Sequence, residues 1–323
     1  DPNLSLLTST FLDICVSGLY GRTTLFFCHL ILLFDREEIT ISIPRIFCFQ
    51  HRAIEIWFEK GYSLYLIFKD VEKFETKWSH LLTPMKMLPY AESIFSLSFS
   101  SHITTSVKNK SDLVKFRVQC INNRISSFAY LLILNFYADR SFTNICQYFV
   151  MPWIQEKRDL SKPMGMQTEP RASDFREKYE SSYPDSHFYG SLYSSPAIVM
   201  RFMIRVQPFT NFLMDLQNGF DKADRLFFDI DNEYQSASEK SNHNVEELIP
   251  ELFMLPEIYL NLNEIPFPKR MRGQTIDNCS LPENGEFKNW VQFVWEYRKK
   301  LDDTPNLEKW IDLIFGVNSR GQI

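Results

Sequence analysis

Hydrophobic and polar positions change rhythm along this chain. From about Tyr20 to Phe68 the period is two: Ile39, Ile41 and Ile43 alternate with Thr40 and Ser42, and Ile54, Ile56 and Phe58 with Glu55 and Trp57. Strands with one buried face do this, and Lys60-Gly61 reads as a hairpin turn into a further strand, Tyr62 to Phe68. In Asp70 to Leu82 the period turns helical: Val71, Phe74, Trp78 and Leu81 share a face, with Asp70 placed to cap it. Residues 83–112 are rich in Ser and Thr, carry Pro84 and Pro89, and read as a linker that Ile94, Phe95, Leu97 and Phe99 hold to a surface.

From Ile125 the pattern is mainly helical with long irregular connections. Helices are predicted over Phe128 to Tyr137 and Pro196 to Ile204. A third starts at Pro208, with Phe209, Phe212, Leu213 and Leu216 inward and Asn218-Gly219 as its stop. Asp221 is expected to cap the next, which turns Leu226, Phe227, Ile230 and Tyr234 inward, and the pair Glu246 and Glu247 is expected at a helix start. Phe287, Trp290, Val291, Val294 and Leu301 mark a long helix. Thr304-Pro305 opens the last one, with Leu307, Trp310, Ile311 and Ile314 inside and Gly316 at its end.

Two stretches follow neither rhythm: Arg158-Asp159-Leu160-Ser161-Lys162-Pro163-Met164-Gly165, and Phe188 to Pro196. Both are dense in Gly, Pro, Ser and Tyr and read as ordered irregular backbone. Burying such backbone requires its polar groups to be satisfied, since each one left unpaired costs roughly 1–3 kcal/mol. Arg158, Asp159, Ser161 and Lys162 are the side chains at hand for that.

Composition narrows the function. The 323 residues, 45% hydrophobic and 15% aromatic, suffice for a large core and have room for two domains. A net charge of -5 offers no global positive field for nucleic acid, so any lipid contact must be local. Six scattered cysteines without a C-x-x-C pair fit reduced thiols, and the longest apolar run, Leu25 to Phe34, is too short to span a membrane and reads as a buried strand. The histidines have no zinc spacing, and nucleophile-elbow, Walker and dinucleotide motifs are missing, so no catalytic residue, metal or cofactor is expected. Ser191, Ser194 and Ser195 read as turn and capping residues.

The Arg-Asp-Leu-Ser-Lys-Pro segment, followed by Tyr189-Gly190-Ser191-Leu192-Tyr193-Ser194, resembles the signature of the BEACH domain family. The resemblance runs in order through Arg124 to Leu131, Leu134-Asn135, Arg140-Ser141, Gln147 to Trp153, Arg205 to Thr210, Leu216 to Asp221, Ala223 to Phe227, Glu247 to Phe253 and Trp310 to Gly316. It implies an α+β chain: a PH-like β-sandwich with a C-terminal helix at 10–83, a linker at 84–112, and a mainly α-helical BEACH domain with an irregular extended core at 113–320. The signature positions Asn135, Pro152, Trp153, Arg158, Asp159, Ser161, Pro163, Tyr189, Gly190, Tyr193, Asp224, Arg225, Pro250, Glu251, Trp310 and Asp312 are expected to be structural. Arg158 with Asp159, and Asp224 with Arg225, are expected as ion pairs or as part of a docking surface.

The resemblance further implies a non-enzymatic, cytoplasmic scaffold of membrane traffic, peripheral on endosomal or lysosomal membranes, that binds other proteins through a groove between the two domains. Arg45, Arg52, Arg124, Arg140 and Lys162 are the candidate rim residues. The alternative is a phosphoinositide-binding, membrane-targeting module, for which the first hairpin supplies only Arg22. The chain reads as a piece of a longer polypeptide in which a WD-repeat propeller follows. It departs from the family pattern where relatives carry histidines, at Phe188 and Leu192, and in the short Ile154-Gln155-Glu156-Lys157 connection; a general acid or base cannot be Phe or Leu.

Overall fold

A computed structural model describes residues 14–15, 39–47, 50–58, 63–68, 110–241, 243–271, 273, 275–282 and 287–320. The chain divides into two compact units, Asp1–Ile133 and Leu134–Ile323. In the first, β1 (Ile14–Cys15), β2 (Ile39–Phe47), β3 (Gln50–Phe58) and β4 (Ser63–Phe68) form an antiparallel sheet in the order β1-β4-β3-β2. Trp57 pairs with Ser63, which makes β3 and β4 the hairpin that Lys60-Gly61 announced. Among the described residues β2 is the last strand of that order, and Pro44 sits on it opposite Ile54. The expected run at 25–34, the helix at 70–82 and most of the linker lie outside the described residues.

Helix α1 (Lys110–Ile121) begins inside the segment read as linker. Its pattern hid it, because Phe116 is buried while Val114, Val118 and Ile121 face solvent. Helix α2 (Ser127–Tyr137) is apolar all round, as an interior helix must be; Phe128 to Leu134 are all buried, and the Ser126 hydroxyl caps it by accepting the Ala129 N–H at 3.1 Å.

In the second unit the described helices are α3 (Glu169–Ser181), α4 (Pro196–Phe202), α5 (Phe209–Gln217), α6 (Ile230–Gln235), α7 (Trp290–Asp302) and α8 (Leu307–Ile314). Ser195 caps α4 through the Ile198 N–H, with Pro196 at its first position. Helix α5 stops where Asn218 turns left-handed, φ 54°, and the Gly219 N–H returns to the Met214 carbonyl at 2.8 Å. The expected cap of the next helix is corrected: Asp229, not Asp221, accepts the Asn232 N–H at 2.8 Å, and α6 starts only at Ile230 because residues 223–225 form a 3-10 turn. On α7 the inward stripe is Trp290, Phe293, Val294, Tyr297 and Leu301, whereas Val291 is 65% exposed. Tyr259 stacks on Trp290 at 4.2 Å between ring centres and meets Phe293 edge-on.

These helices surround backbone of neither rhythm. Between α2 and α3, residues 148–154 run buried without belonging to a helix or a strand. Met151 exchanges two backbone hydrogen bonds with Leu248, at 2.8 and 2.9 Å, and so joins this stretch to a second aperiodic one that precedes Pro250.

Candidate functional site

Aperiodic backbone has no ladder of its own, so its carbonyls and amides need side chains. Asn135, wholly buried near the end of α2, takes both polar groups of Val150: its Nδ2 donates to the carbonyl and its Oδ1 accepts the N–H, each at 2.9 Å. Trp153, also wholly buried, donates its Nε1–H to the Glu246 carbonyl at 2.7 Å.

Five arginines do the rest. Arg140 donates to the Tyr148 carbonyl at 2.7 Å and to the Tyr193 hydroxyl at 2.8 Å. Arg158 donates to the Asp159 and Lys162 carbonyls at 2.7 and 2.6 Å, and its other nitrogen meets Glu247 at 3.2 Å. Arg171 of α3 reaches the Asn244 carbonyl and that of Ala237, which lies in a π-helical turn where the widened ladder leaves carbonyls to take. Arg205 donates to the Phe227 and Asp277 carbonyls at 2.6 and 2.8 Å. Arg201 grips two acids, Glu233 at 2.7 Å and both oxygens of Glu246. The planar fork of guanidinium suits this, since one side chain can reach carbonyls on separate segments.

The charges answer to burial. Desolvation draws Arg140, Arg171 and Arg205 below the ordinary arginine value. Burial also works against the charge on Arg201, but Glu233 and Glu246 outweigh it and hold its proton more firmly than usual. Glu246 and Glu247 are each pushed up by burial against the pull of their arginines. The expected helix-start role of these two acids is therefore corrected: both are buried counter-ions on extended backbone. Glu251, opened out by Pro250, accepts the Tyr148 hydroxyl at 2.6 Å, and burial lifts it to about 7. Trp310 of α8 is wholly buried.

At the surface of the same segment, Asp159 accepts the Ser161 hydroxyl at 2.6 Å and its N–H at 3.0 Å, bonds that hold the carboxyl below its usual range. Gln167, which no sequence signal marked, straps the loop: its amide donates to the Asp159, Lys162 and Pro163 carbonyls. Gly165 is required there, since a Cβ would lie 2.2 Å from the Tyr189 ring. Tyr189 in turn packs edge-on against Phe175, while Gly190 is exposed. Gly316 meets a similar need, because a Cβ would stand 2.7 Å from the Asp312 Cα.

The paired-neighbour expectation is corrected at both places. Arg158 pairs with Glu247 and not Asp159, and Asp224 pairs with Arg270 at 3.1 Å while Arg225 lies 3.7 Å from Asp221. Of the expected rim residues, Arg45 is 2% exposed and ion-paired with Glu55 at 2.7 Å on the same sheet face, and Arg140 is buried as described. Neither side chain faces solvent. Arg124 and Lys162 are exposed, and Arg52 lies on β3. Ser191 donates to the His243 carbonyl and Ser195 caps α4, so both hydroxyls have structural partners.

Beside the signature segment opens a cleft of about 360 Å³, between residues 153–161 and the turn joining α7 to α8. Glu156, Asp159 and Asp303 line it together with Lys300 and Lys309. Among the described residues no group of three His, Cys, Asp or Glu is gathered to hold a metal, and no helix is long and apolar enough to cross a membrane.

Residues 119–323, which carry this signature, match the Beige/BEACH domain family. The chain belongs to the BEACH family. Beige protein homolog 1 of Saccharomyces cerevisiae is 32% identical over 371 aligned positions, covering 99% of this chain and 17% of that protein. A putative neurobeachin homolog of Caenorhabditis elegans is 35% identical, over 99% of this chain and 13% of the relative. WD repeat- and FYVE domain-containing protein 4 of Mus musculus is 32% identical, over 85% and 9%. The chain thus spans less than a fifth of the relatives it matches. BEACH proteins are implicated in trafficking and are generally non-catalytic scaffolds.

Proposed function

We propose that this BEACH chain is a protein-binding scaffold of vesicle and membrane traffic that transforms no substrate. The carrying observation is the use to which its polar residues are put: Arg140, Arg158, Arg171, Arg205, Asn135, Gln167, Ser191 and Ser195 all fix backbone. A platform held this way keeps one shape, which lowers the ordering cost of binding a partner. The cleft beside residues 153–161, with charges of both signs on its walls, fits an extended polar segment of another protein. Exposed Arg124, Arg52 of the same unit, and exposed Lys162 of the other unit stay in the proposal as partner contacts. A WD-repeat propeller following the chain belongs to the same proposal, since the mouse relative carries such repeats by name.

Affinity capture with the 323-residue chain and its Lys300→Glu/Lys309→Glu and Arg52→Glu/Arg124→Glu variants tests this. Partners should be lost from at least one variant while its thermal transition stays in place. Retention of every partner by both, or ester hydrolysis that Ser191→Ala abolishes, contradicts the reading.

A further inference from the structure

A small turn between Lys269 and Thr275 is tied to the signature position Asp224. Lys269 and Thr275 pair antiparallel to make a hairpin. Its turn is closed by the Gly273 N–H on the Arg270 carbonyl at 2.8 Å, with Gly273 at φ 80°, a value that favours glycine. Asp224 anchors it, accepting the Met271 N–H at 3.0 Å and Arg270 Nε at 3.1 Å, and Arg270 lies over the Phe228 ring at 4.2 Å. Phe220 and Phe267, 5.4 Å apart, pack the two segments at their base. With its backbone tied down, Met271 projects its side chain outward and is 89% exposed.

Lys222, Arg225 and Lys269 are exposed on the two segments that Asp224 joins. Among the described residues of the two segments, 221–225 and 269–271, four cations counting Arg270 stand against the two carboxylates Asp221 and Asp224, on a chain whose net charge is -5. The combination is an exposed apolar side chain with cations on the two segments that Asp224 ties together. It suits a soft anionic surface, into which the methionine can sink while the cations meet phosphates.

We propose that Met271, with Lys222, Arg225 and Lys269, is a contact point for the anionic surface of a lipid membrane. This contact is separate from the scaffold cleft and from any lipid reading of the strand unit.

The test is flotation of the whole chain with vesicles of phosphatidylcholine, alone or mixed with phosphatidylserine. The chain should float with the mixed vesicles at low salt, less so as salt rises, and not with phosphatidylcholine alone. Met271→Asp, and separately Lys222→Glu/Lys269→Glu, should each weaken flotation about tenfold, with circular dichroism melts unchanged. Failure of the parent to float, or equal flotation of parent and both variants, overturns the proposal. So does flotation abolished by Arg52→Glu and retained by these variants, which would give the contact to the strand unit. Neither result bears on partner capture by the cleft.

Discussion

Arg201 and Arg205, one helical turn apart in sequence, stand half-buried and fully buried at the edge of the aperiodic centre and are held in opposite ways. Arg201 faces two carboxylates and binds its proton more tightly than a free guanidinium. Arg205 donates to the Phe227 and Asp277 carbonyls and lies over the Phe267 ring, and burial lowers its value. Arg205 fixes backbone directly, and Arg201 ties together two acidic side chains from separate segments. The difference is that carbonyl dipoles suffice to keep a guanidinium inside a protein, whereas carboxylates make it a member of a charge network that fails as a unit.

The sharpest way to break this comparison is to remove each arginine. Arg201→Met strands Glu233 and Glu246 without their counter-ion and should cost about 3–5 kcal/mol by urea unfolding. Arg205→Met leaves two neutral carbonyls and should cost about 2 kcal/mol. Equal losses would mean that the carboxylates add nothing to the hold.

Glu251 lies on the neutral side of this division, with Tyr148 as partner. Its folded value of about 7 exceeds the ordinary 4.5, so the folded state binds the proton more tightly. Its contribution is then fully present below pH 4.5 and is lost as pH rises through about 7, a change of about 3 kcal/mol. Glu251→Gln should flatten the fall in urea midpoint between those values, and an unchanged slope would show Glu251 to be ordinary. The smallest effect concerns the helical shell: Ser195→Ala removes the α4 cap and should cost about 1 kcal/mol.

Legibility followed the same division. Helices with an apolar stripe and a stop signal, such as α5 with Asn218-Gly219 or α7 with Trp290, could be read from the sequence almost to their ends. Helix α3 could not, because only Arg171, Ala172 and Phe175 of its thirteen residues are buried and its polar composition resembles a loop. Asp221 misled because a capping residue looks the same before a 3-10 turn as before an α-helix. Glu246 and Glu247 misled because an acidic pair ahead of an apolar run resembles a helix start, and their arginines, Arg201 and Arg158, lie 45 and 89 residues away. The aperiodic centre was visible as a failure of periodicity. Its means of support was not, since a fork joining Arg171 to Ala237 and Asn244 leaves no local pattern.

The claim beneath the scaffold reading is that this irregular backbone is as rigid as the helices around it. Native-state hydrogen exchange compares them directly, peptide by peptide, over residues 148–154 and 244–253 against α7. The account predicts that the Val150, Met151 and Leu248 amides exchange no faster than those of Phe293 to Tyr297, and that Arg201→Met loosens the 244–253 peptide first. Exchange there at the rate of an open loop in the unaltered protein would contradict it.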